Sequence, residues 1–403
     1  MMQRRLSWIV ALLAWGVVIL LAVHRSRSPL VLDRYSPEFA ALLGLALLAA
    51  FAASALAFAR ARAPLRSGVS RTPGQRRKAL LALAISLAIS LAVTELAVRR
   101  FDLFGASLFA ESWRYALATL PDPDLLYRHQ PGLETTYQGV PVRFNELGLR
   151  ERPISAKGQG KARILVLGDS VVFGWGVREE DTFTRRLGEE LTVRAGRPVD
   201  TINTGVCSYN TRQEEVFLER HGDALAPDAV VLVYVDNDVT PAKPIPRDLG
   251  TLRGLWTEPG LSLQLIACKS WTLCLLREVA RATYAASWST AVEKPAGWTD
   301  AMESLAAIAK WCHARGLPLV TFVYRMTRNP KVDALVTDVS AISVREDFLV
   351  VDTFPWFEGL ELRPLVNSFL DVHPNVRGHE IVARRMADVL MSHGVVGAAG
   401  SAP

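Results

Sequence analysis

Five short, largely apolar runs constrain this chain more than anything else in it. They are Ile164–Leu167, Val199–Asn203, Ala229–Val235, Leu317–Tyr324 and Phe348–Val351. Between and after them lie stretches that read as helices: Asp181–Ala195, Arg212–Leu225, Thr299–Arg315, Lys331–Val344 and Gly378–His393. A strand that is apolar on both faces suits a parallel sheet covered on both sides. Regular strand–helix alternation predicts a three-layer α/β/α fold. In such folds ligands sit beyond the carboxyl ends of the strands. Ser170, Gly205 and Asn237 each fall just past such an end.

The first hundred residues read differently. Leu6–Val23, Phe39–Ala59 and Ala79–Val98 are three apolar runs of roughly transmembrane length. None has a charge at its centre, and Glu95 lies near the end of the third. Residues 1–100 hold fourteen of the 46 Lys and Arg residues but only three of the 40 Asp and Glu, leaving 32 and 37 for the rest. The basic balance therefore belongs to the N-terminal segment, and the remainder is mildly acidic, which removes the main reason to expect nucleic acid as a partner. The connector from Arg60 to Lys78 is the most basic, so the positive-inside rule places it in the cytoplasm. The expectation is a multi-pass anchor of three transmembrane helices (about 6–23, 39–59 and 79–98) in the inner (plasma) membrane. Its N-terminus is inside, and everything after Arg100 is outside, in the periplasm or its equivalent.

Residues 101–162 form a connector. Pro121-Asp122-Pro123-Asp124 is turn-forming, and Thr135–Phe144 alternates as a small β-hairpin does. The third segment, 163–395, carries the strands, with an insertion at about 239–298 that contains Trp256, Trp271, Trp288 and Trp298 and reads as a lid, an acceptor surface or ordinary core. Cys268 and Cys274 fall within Leu263–Ala285, which reads as one helix. Six residues along a helix turn through about 240°, so the two thiols are expected to face apart and to stay unbridged.

The residues that carry chemistry stand at strand ends. Ile164-Leu165-Val166-Leu167-Gly168-Asp169-Ser170 is an apolar strand that breaks at a glycine and delivers a serine. Asp371-Val372-His373-Pro374-Asn375 supplies a histidine with a carboxylate two residues before it. Serine becomes a useful nucleophile only when a base takes its proton, and that base works best when a third group orients it. The simpler reading makes Asp169 a helix N-cap and Ser170 a first-turn serine. No metal or cofactor is expected. His373 and His379 fit no zinc spacing, Asp236-Asn237-Asp238 lacks the glycine and glutamate of a calcium loop, and Gly174-x-Gly176 lacks the third glycine of a dinucleotide fingerprint.

Taken together, Gly168-Asp169-Ser170, Gly205 in Asn203-Thr204-Gly205-Val206-Cys207, Asn237-Asp238 and His373 resemble the four blocks of the SGNH/GDSL hydrolase superfamily, over about residues 140–395. Gly174-Trp175-Gly176-Val177, Asp181-Thr182-Phe183, Asn145 and Gly148-Leu149-Arg150 are similar to its membrane-anchored bacterial envelope branch. The resemblance implies the SGNH hydrolase fold, with a flavodoxin-like parallel sheet. It implies Ser170 as nucleophile, His373 as base and Asp371 as its orienting partner, with an oxyanion hole built from Ser170, Gly205 and Asn237. Two departures stand out. Val235 occupies a position where the family has glycine, and the carboxylate often found three residues before the histidine is here Leu370. The function expected is an O-acyl esterase acting on acylated carbohydrate or lipid esters at the cell envelope. The alternatives are an O-acyltransferase supplied by a membrane acyl-transfer partner, and a catalytically inactive glycan-binding module.

Overall fold

A computed structural model describes residues 2–23, 43, 46, 49–50, 53–54, 57, 73–102, 105–154, 156–246, 248–249, 251–286, 294–328, 330–368 and 370–397. Two compact units divide the chain. One holds Met1–Ala110, Ile266–Glu278 and Ser368–Leu370, and the other holds Glu111–Leu265, Val279–Asn367 and Asp371–Pro403.

In the first unit, α1 (Met2–Val23) and α2 (Pro73–Phe101) take up the first and third apolar runs. The middle run lies largely outside the described residues. Described side chains begin at Ser7 in α1 and are scattered through α2. Among the described residues no helix is long and apolar enough to cross a membrane. The three expected transmembrane helices therefore do not show as such there. Glu95 of α2 accepts hydrogen bonds from Ser270 Oγ (2.7 Å) and from the backbone N–H groups of Trp271 (2.9 Å) and Thr272 (3.1 Å). The carboxylate thus sits where the first turn of a helix presents its unpaired donors.

The second unit begins within α3 (Ser107–Ala118). Two small antiparallel pairs follow: β1 (Leu120–Asp122) with β2 (Leu126–Arg128), and β3 (Glu134–Tyr137) with β4 (Val140–Arg143). The large sheet starts with β5 (Ala162–Gly168), followed by α4 (Ser170–Phe173), α5 (Phe183–Ala195) and β6 (Val199–Asn203). It continues through α6 (Thr211–Leu225) and β7 (Ala229–Tyr234). The expected insertion carries α7 (Leu252–Thr257), α8 (Pro259–Ala267) and α9 (Trp271–Ala286). The last elements are α10 (Trp298–His313), β8 (Leu319–Val323), α11 (Pro330–Glu346), β9 (Leu349–Asp352) and α12 (Val376–Ser392).

All five strands run parallel in the order β6-β5-β7-β8-β9. This is the flavodoxin-like order, whose switch point lies beside the first strand. Alternate residues of each strand feed two separate cores. Leu165, Leu167, Val230 and Leu232 pack with Phe217 and Leu218 of α6, Leu305 and Ile308 of α10 and Leu335 of α11. Ile164, Val166, Val231 and Val233 pack on the other face with Leu187 and Leu191 of α5 and with Val382 and Met386 of α12. These side chains are almost wholly buried, and full burial of each contributes about 1.5–3 kcal/mol. Three layers are the result.

The insertion corrects one expectation. Leu263–Ala285 is not one helix: it breaks between Ala267 and Trp271, and the break brings Cys268 and Cys274 to a Cα separation of 4.4 Å, where they are joined by a disulfide. The rotation that would hold the thiols apart applies only to an unbroken helix. Trp298 is core, its indole N–H donating to Asp338 Oδ2 at 2.8 Å, whereas Trp256 is 88 % exposed. Trp288 lies outside the described residues.

Candidate active site

The path from β5 into α4 explains why a glycine precedes the Asp-Ser pair. Gly168 has φ +153°, and a Cβ there would stand 2.3 Å from Val172 Cγ2 and 3.2 Å from Val233 O. Only glycine lets the strand end in such a turn. Asp169 then caps the short helix through Oδ1, which accepts from the Val171 N–H at 2.9 Å. Ser170 is the first residue of α4, a position whose N–H has no acceptor inside the helix. Arg150, buried, fastens the far end of the turn by donating to Phe173 O (2.9 Å), Gly174 O (2.6 Å) and Val177 O (2.5 Å). Burial lowers its guanidinium to about 10.

His373 arrives on the segment before α12. Asn367 N–H donates to His373 O at 3.0 Å, Val366 bridges Pro374, and Asn375 caps α12 through Oδ1. His373 Nε2 lies 2.9 Å from Ser170 Oγ. Its Nδ1 lies 2.6 Å from Asp371 Oδ1, which also accepts from the His373 backbone N–H at 3.1 Å. Asp371 is fully buried. Burial raises the carboxyl, but the hydrogen bond and charge of His373, followed by the hydrogen bond from Gln138, outweigh it and hold the group below its ordinary value. Burial likewise works against the imidazolium, yet the hydrogen bond and charge of Asp371, with the charge of Asp169, hold His373 above its ordinary value. A hydroxyl, an imidazole and a carboxylate in this order can pass the serine proton to the ring while the carboxylate fixes its tautomer.

The donors expected around an oxyanion are placed unequally. Asn237, just past β7, donates from Nδ2 to Asp169 Oδ2 at 2.9 Å, and Ser170 Oγ lies 3.1 Å from the same oxygen, a second acceptor within reach of its single hydrogen beside His373 Nε2. An amide nitrogen has two hydrogens, so one remains for a ligand. Gly205 is different. Its N–H donates to Asn203 Oδ1 at 2.9 Å, and the residue does not line the cleft. A Cβ on Gly205 would stand 2.2 Å from Phe173 N and 2.8 Å from Asp169 O. The absence of a side chain there lets β6 close against the back of the serine turn. Asn203 and that contact are local features which the spacing of the motif does not reveal.

A cleft of about 410 Å³ opens over Ser170, Asn237 and His373. Val235, Met326, Val332, Leu362 and Val372 make its apolar wall, so the valine in the glycine position lines the site directly. Arg325, also in the lining, is held by Asp352 (2.8 Å) and Asp333 and is thereby neutralised. His379 stays apart from the cleft: buried in α12, it accepts at Nδ1 from the Phe183 N–H at 3.1 Å, and burial lowers it to about 3. It is a structural histidine. Among the described residues no group of three or more His, Cys, Asp or Glu is placed to hold a metal ion.

A serine, a histidine and a carboxylate within hydrogen-bond reach of one another, at the carboxyl edge of a parallel sheet, are the arrangement of serine hydrolases, a class recognised by this geometry on unrelated folds. A model of the GDSL-like Lipase/Acylhydrolase family matches residues 166–381, more than half of the 403, and the chain belongs to that family. No curated protein matches the sequence significantly. Among solved structures, a catalytic mutant of an acetylxylan esterase from Geobacillus stearothermophilus is 17 % identical. That match covers 58 % of this chain and 94 % of the other, at a TM-score of 0.38. A lipase/acylhydrolase from Enterococcus faecalis is 11 % identical, covering 58 % and 96 %, at a TM-score of 0.37.

Proposed function

We propose that this chain is a membrane-anchored serine ester hydrolase that removes O-acyl groups from glycan or lipid esters at the cell envelope. The observation that carries the reading is the unbroken path from Ser170 Oγ through His373 (2.9 Å) to Asp371 (2.6 Å), opening into a cleft. Ser170 attacks the acyl carbon while His373 Nε2 takes its proton. The carbonyl electrons move onto oxygen, where the Ser170 N–H and the second hydrogen of Asn237 Nδ2 stabilise them. Collapse of this intermediate breaks the ester bond, His373 returns the proton to the leaving alcohol, and an acyl-serine remains. Water, deprotonated by the same ring, then releases the acid and restores the serine.

Anchoring is supported by the three apolar runs and by the basic connectors around them. The helix faces are consistent with it: Leu12, Leu13 and Leu20 of α1 are 64 %, 66 % and 75 % exposed, and Leu81, Leu91 and Leu96 of α2 are likewise exposed. Such faces suit acyl chains better than water. The N-terminus then lies in the cytoplasm and the catalytic unit outside the inner membrane. Location in turn favours acylated envelope polymers as substrates.

The test is turnover of p-nitrophenyl acetate, and of an acetylated oligosaccharide, by the full chain in detergent, beside Ser170→Ala and His373→Ala. Release of acetate by the wild type and its loss in both variants is expected. Absence of turnover with retained glycan binding would replace the enzyme with a binding module. Transfer of acetate to an added oligosaccharide, seen by mass, would make the chain an acyltransferase.

A further inference from the structure

We propose that Gln138, at the tip of the β3–β4 hairpin, is a positioning residue for the Ser170–His373–Asp371 path. The proposal rests on the reading of that path as catalytic. Gln138 Nε2 donates to Asp371 Oδ2 at 2.8 Å across 233 residues of sequence. The hairpin lies outside the segment that the family model matches, 166–381.

Tyr137 pairs with Val140, so the loop is the two residues Gln138 and Gly139, with φ +48° and +74°. Both values are positive, as a type I′ turn demands, and Asn-Gly is the pair that adopts it most readily. Glutamine in that backbone region is uncommon and carries strain. Asparagine would relieve the strain, but its side chain is one methylene too short to reach Asp371. The chain therefore keeps the one amide that spans the gap. The hairpin is also braced: Tyr137 is buried and stacks on Trp175 at 5.6 Å, with the Arg114 guanidinium 5.1 Å from its ring. Trp175 O in turn accepts from Asn367 Nδ2 (2.9 Å), and the same nitrogen lies 3.3 Å from Asp371 Oδ2.

A carboxylate must present one oxygen to Nδ1 of the histidine, and what holds the other oxygen decides its orientation and basicity. Gln138 and Asn367 take Oδ2, which leaves Oδ1 aimed at His373. Among the described residues, Asp169, from the turn after β5, and His379, from α12, also act on this pair. Both stay in place when Gln138 is changed. Losing the donor leaves Asp371 a stronger base that grips the imidazolium more tightly. The ring then gives up its proton only at higher pH, and the carboxylate is less firmly aimed.

The experiment uses the full chain, with Gln138→Asn and Gln138→Met, and follows the rate at which a fluorophosphonate labels Ser170 from pH 5 to 9, with p-nitrophenyl acetate hydrolysis in parallel. Both variants are expected to label about tenfold more slowly at the plateau, the size of one hydrogen bond to a charged group. Their acid-limb midpoints are expected to rise, whether or not the melting temperature falls. A purely structural tip would lower the melting temperature and leave the midpoint where it was. Wild-type labelling with both variants unchanged overturns this inference alone. A wild type that neither labels nor turns over overturns the functional reading and this inference with it.

Discussion

At the scale of single residues, Asp371 is the most informative. It stands two positions before His373, not three, and the structure shows why that spacing serves. Its Oδ1 meets both the backbone N–H and the ring Nδ1 of the histidine, so the pair closes a small local ring. His373 has its pKa held above the ordinary imidazole value, chiefly by Asp371 against the opposing effect of burial. A base must be unprotonated to act, so kcat/KM of the wild type is expected to fall as the pH drops through a midpoint above about 6.5. Asp371→Asn removes the charge that holds the midpoint up. It should lower kcat/KM by about 10³–10⁴-fold and move the acid limb down, which a pH series with p-nitrophenyl acetate reads directly. A midpoint unmoved by the substitution would assign the orienting role elsewhere. Much of the site was legible because Ser170 and Asn237 follow apolar runs at strand ends and His373 carries a carboxylate two residues before it. Gly205 was legible as a required glycine, yet its N–H turns to Asn203 Oδ1, and nothing in the spacing announces that. Gln138 was not legible at all, since its partner lies 233 residues away.

Among elements, β5, β7 and β8 could be read because they are apolar on both faces, and the shorter β6 and β9 follow from the strand–helix alternation around them. Val199–Asn203 has the expected bounds, and the others differ by one or two residues at their ends. The insertion was harder. Leu263–Ala285 has helical composition throughout, and only tertiary contact decides that Ser270 and Trp271 begin a new helix on Glu95. The serine turn depends in the same way on Arg150, whose side chain donates to three backbone carbonyls and lies 4.9 Å over the Phe173 ring. Arg150→Met keeps the volume but removes the guanidinium that donates to all three carbonyls, of which Gly174 O keeps the Val177 N–H at 3.3 Å. Each buried acceptor so abandoned costs about 1–3 kcal/mol. The expected result is a melting temperature lower by several degrees, with fluorophosphonate labelling of Ser170 slowed well below the native fraction that circular dichroism reports. Loss of stability without slower labelling of the folded fraction would limit Arg150 to a role in folding.

For the whole molecule, the cysteines connect chemistry to compartment. Cys268 and Cys274 are bridged, while Cys207 and Cys312 are free and buried. Disulfides persist in exported proteins and are rare in a reducing cytosol. The bridge closes a loop of only about six residues, so its entropic contribution is small, on the order of 2 kcal/mol. It pins the break between α8 and α9 rather than holding the whole unit together. Both cysteines lie in the unit that also contains α1 and α2, the part proposed to meet the membrane. If the chain after Arg100 is exported, the bridge forms in the cell. Chain isolated from its native membrane, with thiols blocked at lysis, should then show two reactive thiols when unfolded without reductant, Cys207 and Cys312. Four should appear once it is reduced. A Cys207→Ser, Cys312→Ser double variant should show none before reduction and two after it, which separates the pair from the buried thiols. Four free thiols before reduction would place Cys268 and Cys274 in a reducing compartment and overturn the outward orientation, whatever the activity of the site.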